Sequence, residues 1–84
     1  MIVRMWEVRA DQRTFPALLN WVSEVAVATV ETNPMHISSE IYSSPDFRLV
    51  VVTKWNGTPE DFQDPPPNLA ARPAHSWDFF PVDR

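Results

Sequence analysis

Eighty-four residues with 44% hydrophobic content and a net charge of −4 make a single domain over 1–84, one that buries only roughly 60–65% of its unfolded surface. Without a cysteine there is no disulfide or thiolate metal site; the two histidines, His36 and His75, lack metal-ligand spacing, so neither a metal centre nor a cofactor is expected. Six arginines and one lysine lie scattered without a basic run, and no apolar run nears the roughly 20 residues of a membrane span, which argues against nucleic-acid and membrane partners.

Met1-Ile-Val-Arg-Met-Trp6 lacks the basic-then-apolar layout of a secretion signal, and the chain reads as cytoplasmic. Ile2 to Arg9 alternates as a strand with large apolar groups on both faces, the pattern of a central strand. Ala10 to Thr14 is a polar turn. Phe15, Leu18, Leu19, Val22, Val25, Ala26, Thr29 and Val30 then recur at three- and four-residue steps, which predicts one amphipathic helix. Thr14 is its expected N-cap and Pro16 lies in its first turn, where a missing N–H costs nothing. Asn33-Pro34 ends it.

Met35 to Ser44 is the most polar strand, with Ile37, Ser39, Ile41 and Ser43 on one face and His36, Ser38, Glu40 and Tyr42 on the other, as suits a sheet edge. Ser44-Pro45-Asp46 is a tight turn leading into Phe47-Arg-Leu-Val-Val-Val-Thr-Lys-Trp55, a second strand with two apolar faces. Residues 57–74 hold five of the nine prolines and read as an ordered strap anchored by Phe62 and Leu69, with a capped helical turn at Thr58 and polyproline II geometry at Pro65-Pro66-Pro67. His75 to Val82 is the last strand.

A β-α-β-β-strap-β chain with its two doubly apolar strands in the middle gives an α+β, ferredoxin-like antiparallel sheet in the order 4-1-3-2. Four strands span about 19 Å and one helix about 10 Å, so the helix covers roughly half of one face. The strap stands where a second helix would cover the rest, and either packs there or leaves a cleft. The opposite face has no helix, yet carries apolar residues from both central strands. A second copy across a two-fold axis is the simplest cover, which predicts a homodimer.

The element order, the opening strand Met1-Ile-Val-Arg-Met-Trp-Glu-Val-Arg9 and the strand end Val-Val-Val-Thr-Lys-Trp55 resemble the antibiotic-biosynthesis-monooxygenase-like proteins, small domains that pair as dimeric α+β barrels. The resemblance covers residues 1–57 and the last strand. It implies a ligand space between helix and sheet, and in some members cofactor-independent oxygenation of aromatic substrates or haem degradation. Trp55 matches the strand-end tryptophan of the haem-degrading branch. Glu7 stands where that branch has an asparagine, and no second helix carries its histidine, so haem degradation is not implied.

The candidates each carry a packing reading beside a functional one. Trp55 is an aromatic ligand wall or a packing residue closing the core edge. Glu7, in an otherwise apolar strand, is a catalytic base or the partner of Arg48, Lys54 or Arg9. His75 is a proton acceptor near neutral pH or bonds the strap backbone. Arg72 binds a ligand or clamps the strap to an acid such as Glu7. His36 and Tyr42 are solvated or lie at a dimer rim. One expectation is therefore an oxygenase or isomerase working on a small planar aromatic ligand, with Trp55, His75, Glu7 and Arg72 around the cleft. The alternative is a non-catalytic dimeric module whose strap plugs the cleft. A cavity of a few hundred Å³ beside Trp55 marks the enzyme; Phe62 or Leu69 packed into that space marks the module.

Overall fold

A computed structural model describes all residues, 1–84. Strands β1 (Ile2–Arg9), β2 (His36–Ser43), β3 (Arg48–Trp55) and β4 (His75–Phe79) form one sheet in the order β2-β3-β1-β4, each neighbouring pair antiparallel. This is the strand order of a ferredoxin-like fold, with the two doubly apolar strands in the middle. Trp6 and Val8 of β1 and Leu49, Val51, Thr53 and Trp55 of β3 are buried on the helix face of the sheet. No helix is long and apolar enough to cross a membrane.

A single helical run covers 15–30: α1 (Phe15–Trp21), a π-helical stretch Val22–Val27, and α2 (Ala28–Val30). The wider turn changes which residues face the sheet. Leu18, Val22, Ala26, Val27 and Val30 are buried, whereas Leu19 and Val25, both expected in the apolar stripe, are each 36% exposed. A turn closed by i→i+5 bonds brings Val27, not Val25, back over Val22. Trp21, off the expected stripe, packs half-buried against the core. Thr14 makes no side-chain cap. Asp11 takes that role, its Oδ1 accepting from the N–H groups of Arg13 and Thr14, both at 2.9 Å.

The strands depart from the sequence reading in three places. In β2, His36 pairs with Trp55 and Ser38 with Lys54, so Ile37 is the extra residue of a bulge. The bulge turns His36 to the core side, with its ring edge-on to Trp55 at 5.3 Å, and leaves Ile37 exposed. The last strand stops at Phe79 rather than Val82, because Pro81 has no N–H to continue a ladder. Phe47, expected as the first residue of β3, instead sits in the connecting turn at φ 64°, where its N–H bonds the Ser44 carbonyl at 3.1 Å. This is the turn-plus-left-handed-residue loop that favours glycine. The ring's edge contact with Phe15, 5.8 Å between centroids, gives Phe47 a reason to be there.

The strap lies on the half of the helix face that the helix leaves bare. Phe62 meets Trp6 edge to face at 5.0 Å, and Leu69, Ala70 and Ala74 pack against the same core. It is pinned at both ends. The Asn33 amide donates to Glu60 at 2.9 Å, and the Ala71 N–H donates to the Arg9 carbonyl at 2.7 Å. The helical turn expected at Thr58 does not form; the strap's one hydrogen-bonded turn runs from the Pro66 carbonyl to the Leu69 N–H. Three prolines remove the donors a longer helix needs.

Candidate functional site

The register of the sheet divides the sequence candidates between its two ends. Ile2 pairs with Trp55, while Glu7 pairs with His75. Five residue steps along β1 separate the two positions, about 17 Å of extended chain. Trp55 therefore cannot share a ligand of ordinary size with Glu7 and His75. It is fully buried, its Nε1–H donates to the Thr53 hydroxyl at 2.8 Å, and His36 covers its edge. Neither of the molecule's two cavities touches it.

Glu7, Arg72 and His75 do come together at the other end. Glu7 is on the helix-free face with its carboxylate largely covered, and both its oxygens are engaged. Arg72 reaches round from the strap to Oε1 at 2.6 Å, and Arg48 approaches Oε2 at 3.7 Å. A carboxylate held between two guanidiniums is satisfied as an anion, which suits a structural clamp better than proton abstraction. His75 is exposed at the start of β4, its ring 6.2 Å from that of Trp77, with no hydrogen-bond partner that would orient it as a base. Arg48 also holds Asp46 at 3.0 Å, and the Ser44 hydroxyl donates to the same carboxyl. These contacts, the Ser44 bond first, push the Asp46 carboxyl down to about 2.

The more structured constellation lies on the strap side. Arg4 shares the helix face with Trp6 and is bidentate to Asp78, its register partner on β4, at 2.7 and 3.0 Å. Its third nitrogen reaches Asp61 of the strap at 2.6 Å. The bond to Asp78 foremost holds the guanidinium above its ordinary pKa against the opposing effect of burial, and it holds the Asp78 carboxyl below its own. The triad ties β1, β4 and strap together. The sequence reading passed over it; the available signal was an arginine set between Ile2 and Trp6 on the face of a central strand, which needs an acid close by.

Two cavities flank this triad. One of about 360 Å³ is lined by Arg4, Trp6, Asp61, Phe62, His75 and Ser76 among others. One of about 500 Å³ lies within the strap, between Asp64, Pro65 and Pro67 on one side and Ala70, Arg72, Pro73 and Ala74 on the other. Asp64 and Ala74 belong to both linings. No group of histidine, aspartate or glutamate side chains is placed to hold a metal ion.

No protein-family model, curated protein or solved structure matches the chain.

Proposed function

We propose that the protein is a non-catalytic homodimeric module, built like an antibiotic-biosynthesis-monooxygenase-like α+β barrel but with its ligand space occupied by its own strap. The observation that carries this reading is the seating of Phe62 edge-on against Trp6, with Leu69 packed on the same core, in the half-face where a second helix would roof a pocket. The distribution of candidate residues agrees. Trp55 is sealed, Glu7 is neutralised by Arg72 and Arg48, and His75 has no companion that would direct its proton chemistry.

The dimer rests on the helix-free face. Met5, Val50 and Val52 lie at its centre half-buried, and Trp77 and Phe79 on β4 are about half exposed (47% and 49%). Three strands of eight residues and one of five present about 470 Å² of sheet per copy, or about 940 Å² for a pair, close to the lower bound of a specific interface. The Glu7–Arg72 pair lies at one end of this face.

Sedimentation velocity at micromolar concentration tests the proposal. The expected species has twice the 9.7 kDa chain mass. A carboxylate in the middle of the face, Val52→Glu, converts it to a monomer with unchanged far-ultraviolet circular dichroism. A wild-type monomer at that concentration refutes the dimer. A rise of several degrees in melting temperature with planar aromatic acids or phenols refutes the plugged pocket. It would favour a second reading, a small-molecule site in the 360 Å³ cavity, which brings His75 and Arg4 beside the Trp6–Phe62 aromatic wall.

A further inference from the structure

β4 is an open edge of the sheet. All five of its residues are exposed, although β1 pairs with it along its whole length. Which backbone groups are left over follows from the alternation of an antiparallel ladder, in which successive residues turn their N–H and C=O groups to opposite sides. At the end of β1 the Ala10 N–H bonds the Phe47 carbonyl, on the β3 side, at 2.9 Å, and the Arg9 carbonyl accepts the Ala71 N–H on the other side at 2.7 Å. The odd-numbered residues of β1 therefore face β4. Through the pairs Val3–Phe79, Met5–Trp77 and Glu7–His75 they engage the backbones of Phe79, Trp77 and His75. The N–H and C=O groups of Ser76 and Asp78 point the opposite way, off the sheet, where no strand lies.

The other edge is guarded. β2 carries the bulge at Ile37, which interrupts any pairing along it. The register of β4 has no such break.

The side chains of β4 select a second copy of the same strand. Two antiparallel β4 strands related by a two-fold axis at Trp77 pair along all five residues. Ser76 of each copy then stands opposite Asp78 of the other, and every outward N–H and C=O finds a partner. On the helix-free face Trp77 meets Trp77, and His75 of each copy meets Phe79 of the other. These are the non-hydrogen-bonded positions, where side chains lie closest and aromatic pairs stabilise a ladder. On the helix face the Asp78 carboxylate, its charge held by Arg4, meets only a serine. The neighbouring registers are poorer. Centring on Asp78 sets two carboxylates face to face, and centring on Ser76 sets Phe79 against Pro73.

We propose that β4 of one copy pairs antiparallel with β4 of a second, joining two four-stranded sheets into one continuous sheet. The contact lies in the plane of the sheet and leaves the helix-free face open. It goes beyond the face-to-face dimer and links two such dimers into a tetramer. A ladder this short is smaller than a standard interface, so its dissociation constant is on the order of 0.1–1 mM and the pairing belongs to high concentration.

Amide exchange on the wild type reads the outward groups. The Ser76 and Asp78 N–H groups are expected to exchange roughly two- to fivefold more slowly at about 1 mM than at about 50 μM, whereas those of His75, Trp77 and Phe79, bonded to β1, keep one rate. Isotope-filtered NMR on mixed labelled and unlabelled chains at the higher concentration is expected to show transfer between the His75 and Phe79 rings, which lie about 14 Å apart along one strand and cannot exchange it within a chain. Ser76→Pro removes an outward N–H and no bond to β1. It is expected to abolish both signals and to sediment like the wild type at micromolar concentration. Val52→Glu, which breaks the face contact, is expected to keep both signals. Equal Ser76 and Asp78 rates at the two concentrations overturn the edge pairing. Slowed exchange without His75–Phe79 transfer puts another strand or another register on the edge and overturns it as well. A wild type that is monomeric at micromolar concentration yet shows both signals at about 1 mM refutes the face-to-face dimer and leaves the edge pairing standing. Should Ser76→Pro fail to fold, the two measurements on the intact protein still decide.

Discussion

Single residues carry most of what was hidden at the ends of the elements. Asp46 is half exposed, yet the Ser44 hydroxyl and the Arg48 guanidinium hold its carboxyl at about 2, against 3.8 in an unstructured chain. A carboxyl with a lower pKa in the folded state stabilises that state above its ordinary value, and the contribution fades as pH falls through about 2. The urea midpoint of the wild type is therefore expected to drop between about pH 4 and about pH 2, and that of Asp46→Asn to drop less. Asp11 and Asp78 are also held low, so the variant retains some slope. Parallel curves for the two proteins over that window would mean that the Ser44–Asp46–Arg48 cluster does not form in solution. Phe47 belongs to the same turn. Its left-handed backbone costs about 1 kcal/mol relative to glycine, offset by its packing on Phe15.

At the scale of elements, the helix offers the sharpest test. In a straight α-helix Val25 joins the stripe of Leu18 and Val22 and Val27 faces outward; in the helix found here the order is reversed, with Val27 6% and Val25 36% exposed. Val27→Ala is expected to cost about 2 kcal/mol, as for a buried aliphatic truncation, and Val25→Ala no more than about 0.5 kcal/mol. Equal costs in chemical denaturation would put the π-helical turn in doubt. The contrast also explains what was legible. Alternation along Ile2–Arg9 and Arg48–Trp55 specifies two central strands because each face is separately apolar, and Asn33-Pro34 and Gly57 punctuate the chain where their geometry demands. A π-turn leaves no such mark, since the same valines and alanines suit either helix and only the surface beneath selects the register. The bulge at Ile37 is hidden for a similar reason. His36 and Ile37 are both acceptable on either face of an edge strand, and the ring of Trp55 decides between them. The candidate residues divide along the same line. The Glu7–Arg72 clamp was legible because a carboxylate in an apolar strand must find a cation. The separation of Trp55 from Glu7 was not, because it depends on antiparallel register, which places the last residue of β3 beside the first of β1.

The whole molecule is a slab of 40 × 29 × 17 Å, two layers deep, with helix and strap on one side of the sheet only. Twelve of 84 residues are buried, a thin core for a chain that has no disulfide to staple it. The homodimer proposed above would add to its stability by mass action: anything that binds the folded chain and not the unfolded one raises the melting temperature with concentration. The two sides of the slab then predict different behaviour for the same substitution. Leu19→Glu alters an exposed apolar position on the helix, Trp77→Glu one on the bare sheet face. The wild type and Leu19→Glu are expected to melt at temperatures that climb by several degrees between about 1 and about 100 μM, as a linked dimer does. Trp77→Glu is expected to melt lower and at a temperature independent of concentration, because a carboxylate there must be desolvated when two sheets meet. Concentration dependence lost in Leu19→Glu but kept in Trp77→Glu would move the interface to the helix side, and its absence in all three would leave the slab to stand on its own core.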